Sequence, residues 1–169
     1  MNAFSARTLK QLSWPTIVMF TLGFWLSGSL ILDSVIIPSL LAAGMMAESG
    51  FASASYLLFS IFNHIELVCG ALVLTGFLIL NHNRVISPTK ERLSVFLAVL
   101  LLTIAIMYTY IFTPYLSGLG LQLNLFDSTT TMPTAMVYMH GGYWLLEVIK
   151  LVSCATLLSW CYRQSCSLL

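Results

Sequence analysis

Charged side chains are scarce in this chain: 8% of its 169 residues are Asp, Glu, Lys or Arg, against 59% hydrophobic residues. So little polarity cannot cover the surface of a water-soluble fold, which excludes an ordinary soluble domain. The net charge of +1 leaves no basic field for nucleic acid and no acidic field for a cationic partner. Signatures of catalysis are missing as well. There is no G-x-S-x-G, no H-E-x-x-H, no phosphate-cradling glycine loop and no carboxylate pair spaced around a water-accessible acceptor, so no enzyme is indicated. Cysteine is limited to Cys69, Cys154, Cys161 and Cys166, with no CxxC. The first two fall inside apolar spans and the others follow the last span. They read as small core residues and reduced cytoplasmic thiols, not as a disulfide or metal framework.

What the chain does contain is four long apolar runs, over residues 14–41, 55–80, 93–116 and 133–160. At ~1.5 Å rise per residue each exceeds the roughly 30 Å of bilayer hydrocarbon. The expected fold is therefore all-α, a single integral membrane four-helix bundle spanning residues 1–169. Arg7 and Lys10 ahead of the first run imitate a signal peptide, but the run is too long for one and lacks a small-residue cleavage site, so a retained helix is expected.

Arg7 and Lys10 precede the first run, Arg84, Lys90 and Arg92 separate the second from the third, and Arg163 follows the fourth. The other two loops carry Glu48 and Asp127 but neither Lys nor Arg. The positive-inside rule then places both termini and the middle loop in the cytoplasm. Asn81, His82 and Asn83 close the second helix, Ser87 and Pro88 start the third, and Pro133 suits the first turn of the fourth after a polar segment at 124–131. Trp14, Trp160 and Tyr162 are expected at the inner interface, and Tyr108, Tyr110 and Tyr115 at the outer one.

An ionisable group at the bilayer centre costs about 2.5–3.5 kcal/mol on the insertion scale, so such groups face a bundle interior and take partners. Asp33 lies on the first helix, His64 and Glu66 on the second, and His140, Glu147 and Lys150 on the fourth. The third has none and is expected to face lipid. His140, Trp144, Glu147, Leu151 and Cys154 form one stripe at helical spacing, flanked by Lys150. Glu147 and Lys150, three apart with the acid first, can pair on the helix surface. His64 and Glu66 diverge by about 200° at ~100° per residue, so they serve different neighbours. Asn63, Glu66 and Gly70 share one face; His64, Val68, Ala71 and Thr75 share another. Gly23 and Ser27 give the first helix a small-residue pair suited to close packing, and Ser29 lies one turn before Asp33.

His64 and His140 fall at similar depths on helices of the same direction. That is compatible with axial ligation of haem b, with chlorophyll ligation, or with a metal site shared with Asp33 or Glu66. Met45 and Met46 could suggest soft-metal capture, though adjacent methionines are expected by chance in so apolar a chain. The competing reading of the buried polar residues is hydrogen-bonded packing and an internal ion pair.

Three segments carry a family resemblance: Gly23-Phe24-Trp25-Leu26-Ser27-Gly28 in the first span, Phe59-Ser60-Ile61-Phe62-Asn63-His64 opening the second, and Tyr138-Met139-His140-Gly141 opening the fourth. In them the chain resembles the transmembrane protein 205-like family of small four-helix membrane proteins, over essentially its whole length in span order. The resemblance implies architecture and no particular reaction or ligand. The compact middle loop, 81–92, and the residue usage point to a bacterial source, with the inner membrane or a thylakoid as location. With so little extramembrane mass, the leading expectation is a non-enzymatic accessory or assembly protein, its partners being the lipid bilayer and other membrane proteins or a second copy of itself. A cofactor-binding bundle and a small proton-coupled transporter built on Asp33, Glu66, Glu147 and Lys150 are the alternatives.

Overall fold

A computed structural model describes residues 14–45, 50–82, 88–118 and 134–166, and among them the chain forms four long helices and no strand. Helix α1 runs Trp14–Ile31, passes through a π-helical turn at Leu32–Ile36 and continues over Ile37–Ala42. Helix α2 is Phe51–His82. Helix α3 runs Pro88–Met107, takes a π turn at Tyr108–Phe112 and continues to residue 118. Helix α4 is Thr134–Cys166. All four are long and apolar enough to cross a membrane. Helix is the form that satisfies backbone polar groups within one segment where lipid offers no partners. Thr21, Ser27, Thr103 and Thr156 follow the same logic, each donating its hydroxyl to the carbonyl four residues back.

Both π turns stand in the same relation to a proline. The Ile37 N–H bonds Leu32 O just before Pro38, and the Thr113 N–H bonds Tyr108 O just before Pro114. A proline ring has no N–H and crowds the carbonyl four residues earlier. Widening the preceding turn by one residue relieves that clash without breaking the helix.

The helices pack in a ring: α1 against α2, α2 against α3, α3 against α4 and α4 against α1. Among the described residues α2 and α4 make no close backbone approach, so they lie across a diagonal. One end of the bundle carries Trp14, His82, Pro88 and Arg163 and is called the basic end; Ala42, Phe51 and Thr134 mark the neutral end. Towards the basic end the interior is apolar: Val18, Leu22, Val73, Phe77, Leu80, Ala98, Leu101 and Leu157 are buried together. Gly76 lets α1 and α2 meet there, since a Cβ on it would overlap Val18.

The expectation that α3 faces lipid is incorrect. A larger share of its span is buried than of any other helix, although it is the most apolar of the four. Freedom from charge does not imply contact with lipid, because its Ala98, Leu101, Ile104 and Ala105 fill the apolar core. Tyr108 is likewise no interfacial anchor: it is fully buried, whereas Tyr110 and Tyr115 are exposed as expected. Cys161 lies within α4 and is buried beside Cys69 and Cys154 as a free thiol. Pro88 opens α3 as its spacing suggests. Arg7, Lys10, Met46, Glu48, Asn83, Arg84, Ser87, Asp127, Pro133 and the segment 124–131 lie outside the described residues.

Candidate functional site

Glu66 is the centre of the polar interior. It stands on the α2 face that also buries Asn63 and Gly70, while His64, Val68, Ala71 and Thr75 point outward. The half-turn between His64 and Glu66 has this consequence. Three donors converge on a single oxygen of Glu66, Oε1: Trp25 Nε1 at 2.9 Å, Ser29 Oγ at 3.2 Å and Lys150 Nζ at 2.5 Å. The Lys150 bond crosses the α2–α4 diagonal, which the long lysine stem can span although the backbones cannot meet. Lys150 Nζ also lies 2.8 Å from Glu147 Oε2 one turn earlier on α4, an ion pair off hydrogen-bonding alignment. Glu66 and Glu147 are 1% exposed and Lys150 2%.

Asp33 sits in the α1 π turn, half-buried, with Glu147, Lys150 and Glu66 as its charged neighbours. Aromatic rings close the neutral side. Tyr108 and Tyr143 stack with centroids 4.6 Å apart, Phe112 meets both edge-on, and Lys150 Nζ lies 5.2 Å from the Tyr108 centroid. That placement adds a cation–π attraction, the more effective for being desolvated. The Tyr108 hydroxyl donates to Tyr143 O at 3.1 Å. A second strip joins α2 to α3: Asn63 Nδ2 donates to Thr113 Oγ1 at 2.6 Å, and Thr109 Oγ1 donates to Ala105 O at 2.8 Å and lies 3.4 Å from Asn63 O.

Asp33, Glu66, Glu147 and Lys150 are thus brought into one constellation drawn from three helices, with Asn63 adjoining it on α2. Its carboxyl groups outnumber its ammonium three to one, and Asp33 Oδ2, Glu66 Oε2 and Glu147 Oε1 are buried without a hydrogen-bond donor. Trp25, Ser29, Tyr108 and Tyr143 belong to the site and were not singled out as such. Ser29 and Asp33 lie one helical turn apart, and Trp25 one turn earlier again, so the periodicity of α1 carried the signal.

The two intramembrane histidines are not brought together. His64 is exposed with Nδ1 2.6 Å from Ser60 O, and His140 is exposed on α4, across the diagonal. Such outward faces do not fit a haem b, a chlorophyll or a metal ion held by both rings. Among the described residues no group of three or more His, Cys, Asp or Glu is placed to hold a metal ion. Comparison with known protein families, curated proteins and solved structures gives no match.

Proposed function

We propose that this protein is a small proton-coupled membrane carrier whose working site is the Asp33, Glu66, Glu147 and Lys150 constellation. The observation that carries this reading is the surplus of buried carboxyl groups over the one ammonium, with oxygens left unpaired in the interior. Groups so costly to bury in a bilayer, facing a bundle interior, mark ion and proton pathways by default. Their support by two π turns fits as well, since such turns concentrate at functional sites. The test is reconstitution into vesicles loaded with a pH-sensitive dye. Wild type should relax an imposed pH gradient, and Glu147→Gln should abolish that flux at unchanged fold; no wild-type flux, or equal flux in the variant, removes the proposal.

A second reading, an accessory or assembly protein for other membrane components, is favoured by a separate feature. An open apolar groove of about 760 Å³ runs along α1 and α2, lined by Phe20, Phe24, Ile61, His64, Val68 and Leu72. Purification in mild detergent that gave only monomer, with no reproducible partner, would count against it.

We also propose membership of the transmembrane protein 205-like family. Two of the residues that carry the resemblance, Trp25 and Asn63, belong to or adjoin the constellation. The cation distribution supports termini on the cytoplasmic side, and the compact middle loop, 81–92, with the residue usage is what supports a bacterial inner membrane or a thylakoid.

A further inference from the structure

The two π turns and the two prolines recur at one interval. Leu32–Ile36 with Pro38 on α1, and Tyr108–Phe112 with Pro114 on α3, stand 76 residues apart. The interior follows the same interval: Val18, Leu22, Trp25, Ser29 and Leu32 are buried on α1, and so are Ser94, Ala98, Leu101, Ala105 and Tyr108 on α3. Between α2 and α4 the interval is 84. There Asn63, Glu66, Gly70, Val73 and Phe77 correspond to Glu147, Lys150, Cys154, Leu157 and Cys161, all of them buried. The helices of each pair run in the same direction and, among the described residues, lie across a diagonal of the ring. A half-turn about the bundle axis therefore carries hairpin α1–α2 onto hairpin α3–α4, the parallel-repeat arrangement with its axis along the membrane normal. Glu66 and Lys150 are one and the same position of the two hairpins. Both lie mid-span, and their bond crosses from one hairpin to the other. Carriers built from repeats place their sites there, at the repeat interface near the midplane.

Each charge also has a partner within its own hairpin. Glu66 Oε1 accepts from Trp25 and Ser29 on α1, and Lys150 Nζ lies 2.8 Å from Glu147 Oε2 one turn earlier on α4. The crossing bond can therefore open without stranding either group. Glu66 Oε2, meanwhile, is buried and receives no donor. It can take a proton while Oε1 keeps its two neutral donors. The ionisable groups around Glu66 are Asp33 on α1, Cys69 on α2, Tyr108 on α3, and Tyr143, Glu147, Lys150 and Cys154 on α4.

We propose that Lys150 is a tethered cation on the proton seat of the carrier: a proton added to Glu66 Oε2 displaces the ammonium, which withdraws to Glu147. The proton comes from water and stays on Glu66, and the ammonium keeps its three hydrogens. This deepens the carrier reading and rests on it for its role, though not for its existence. Once neutral, Glu66 has no charge to hold the ammonium, whereas the Lys150–Glu147 pair is balanced within one hairpin. Glu147 is then a positioning residue, the second seat for Lys150. Glu147→Gln should stop flux for that reason, although Glu66 carries the proton.

The test is solid-state NMR of the full chain in lipid bilayers, with isotope labels on the glutamate carboxyl carbons and the lysine side-chain nitrogens, recorded across a pH titration. At high pH the Lys150 nitrogen should couple to two carboxyl carbons. On acidification one of them should move to the position of a carboxylic acid and lose its coupling to Lys150 while the other keeps it. That titrating signal should be absent from Glu66→Gln and present in Glu147→Gln. A signal that vanishes in Glu147→Gln and survives in Glu66→Gln overturns the proposal, as does coupling that persists after protonation, or no titrating signal at all. Should either variant fail to fold, wild-type protein is treated with dicyclohexylcarbodiimide at low and high pH and mapped by mass spectrometry. The protonated oxygen adds to the carbodiimide carbon, its hydrogen passes to nitrogen, and the adduct rearranges to an N-acylurea with no atom lost. An adduct at Glu66 that grows at low pH supports displacement; adducts at Glu147 or Asp33 without Glu66, or none, contradict it. Displacement without vesicle flux removes the carrier reading and leaves the exchange; flux without displacement does the reverse.

Discussion

Between Trp14 and Trp25 on α1, and over the facing stretches of the other helices, the interior is assembled from Val18, Leu22, Val73, Phe77, Ala98, Leu101 and Leu157. From Ser29 onward, towards the neutral end, the same four helices enclose Glu66, Glu147, Lys150, Asn63, Thr109 and Thr113. The first half is fixed by volume: close packing against lipid of equal apolarity, admitted by the missing Cβ of Gly76. The second is fixed by charge and by directional bonds, and it alone contains the two π turns. A protein that needed only a stable bundle could have continued the apolar half to the other end. The charged interior is confined to the half towards the neutral end.

Breaking that contrast should be easiest at Lys150. Lys150→Met leaves Glu66 and Glu147 buried without their counter-charge and should cost about 3–5 kcal/mol, much of it recovered when Glu66→Gln is added. Unfolding in detergent measures both, and additive losses in the double variant would show that the two side chains do not act as a pair. Phe77→Ala, in the apolar half, should cost about 3–5 kcal/mol by leaving a cavity, read in the same unfolding assay. Trp25→Phe removes one hydrogen bond to a buried carboxylate and should cost about 1.5–3 kcal/mol in the same assay. The smallest effect is expected outside both halves: His64→Ala changes an exposed residue and should stay within about 0.5 kcal/mol.

Much of this layout is legible in the sequence. Span length gives four helices, and helical spacing puts Glu66 on one face with Asn63 and Gly70 while turning His64 away. Periodicity describes one helix at a time, however, so it gives the Glu147–Lys150 neighbourhood but not the reach of Lys150 across the diagonal to Glu66. It also undervalues α3, whose contribution is the neutral ring of Tyr108 beneath a cation. Pro38 and Pro114 are visible in the sequence inside apolar spans, and their effect is an extra residue per turn, which rotates everything past it away from simple periodic placement. Cys161 shows the matching limit at the basic end, where α4 continues past the apolar run to Cys166.

The most direct measurement is the charge displaced when vesicles holding the protein on a solid-supported membrane receive a pH step, compared between wild type and Glu147→Gln at matched thermal stability. A proton-loading site in the neutral half predicts a transient in wild type that is lost in Glu147→Gln while Phe77→Ala retains it. Equal transients in wild type and Glu147→Gln would contradict the account and leave Glu66, Glu147 and Lys150 as a bond between helices.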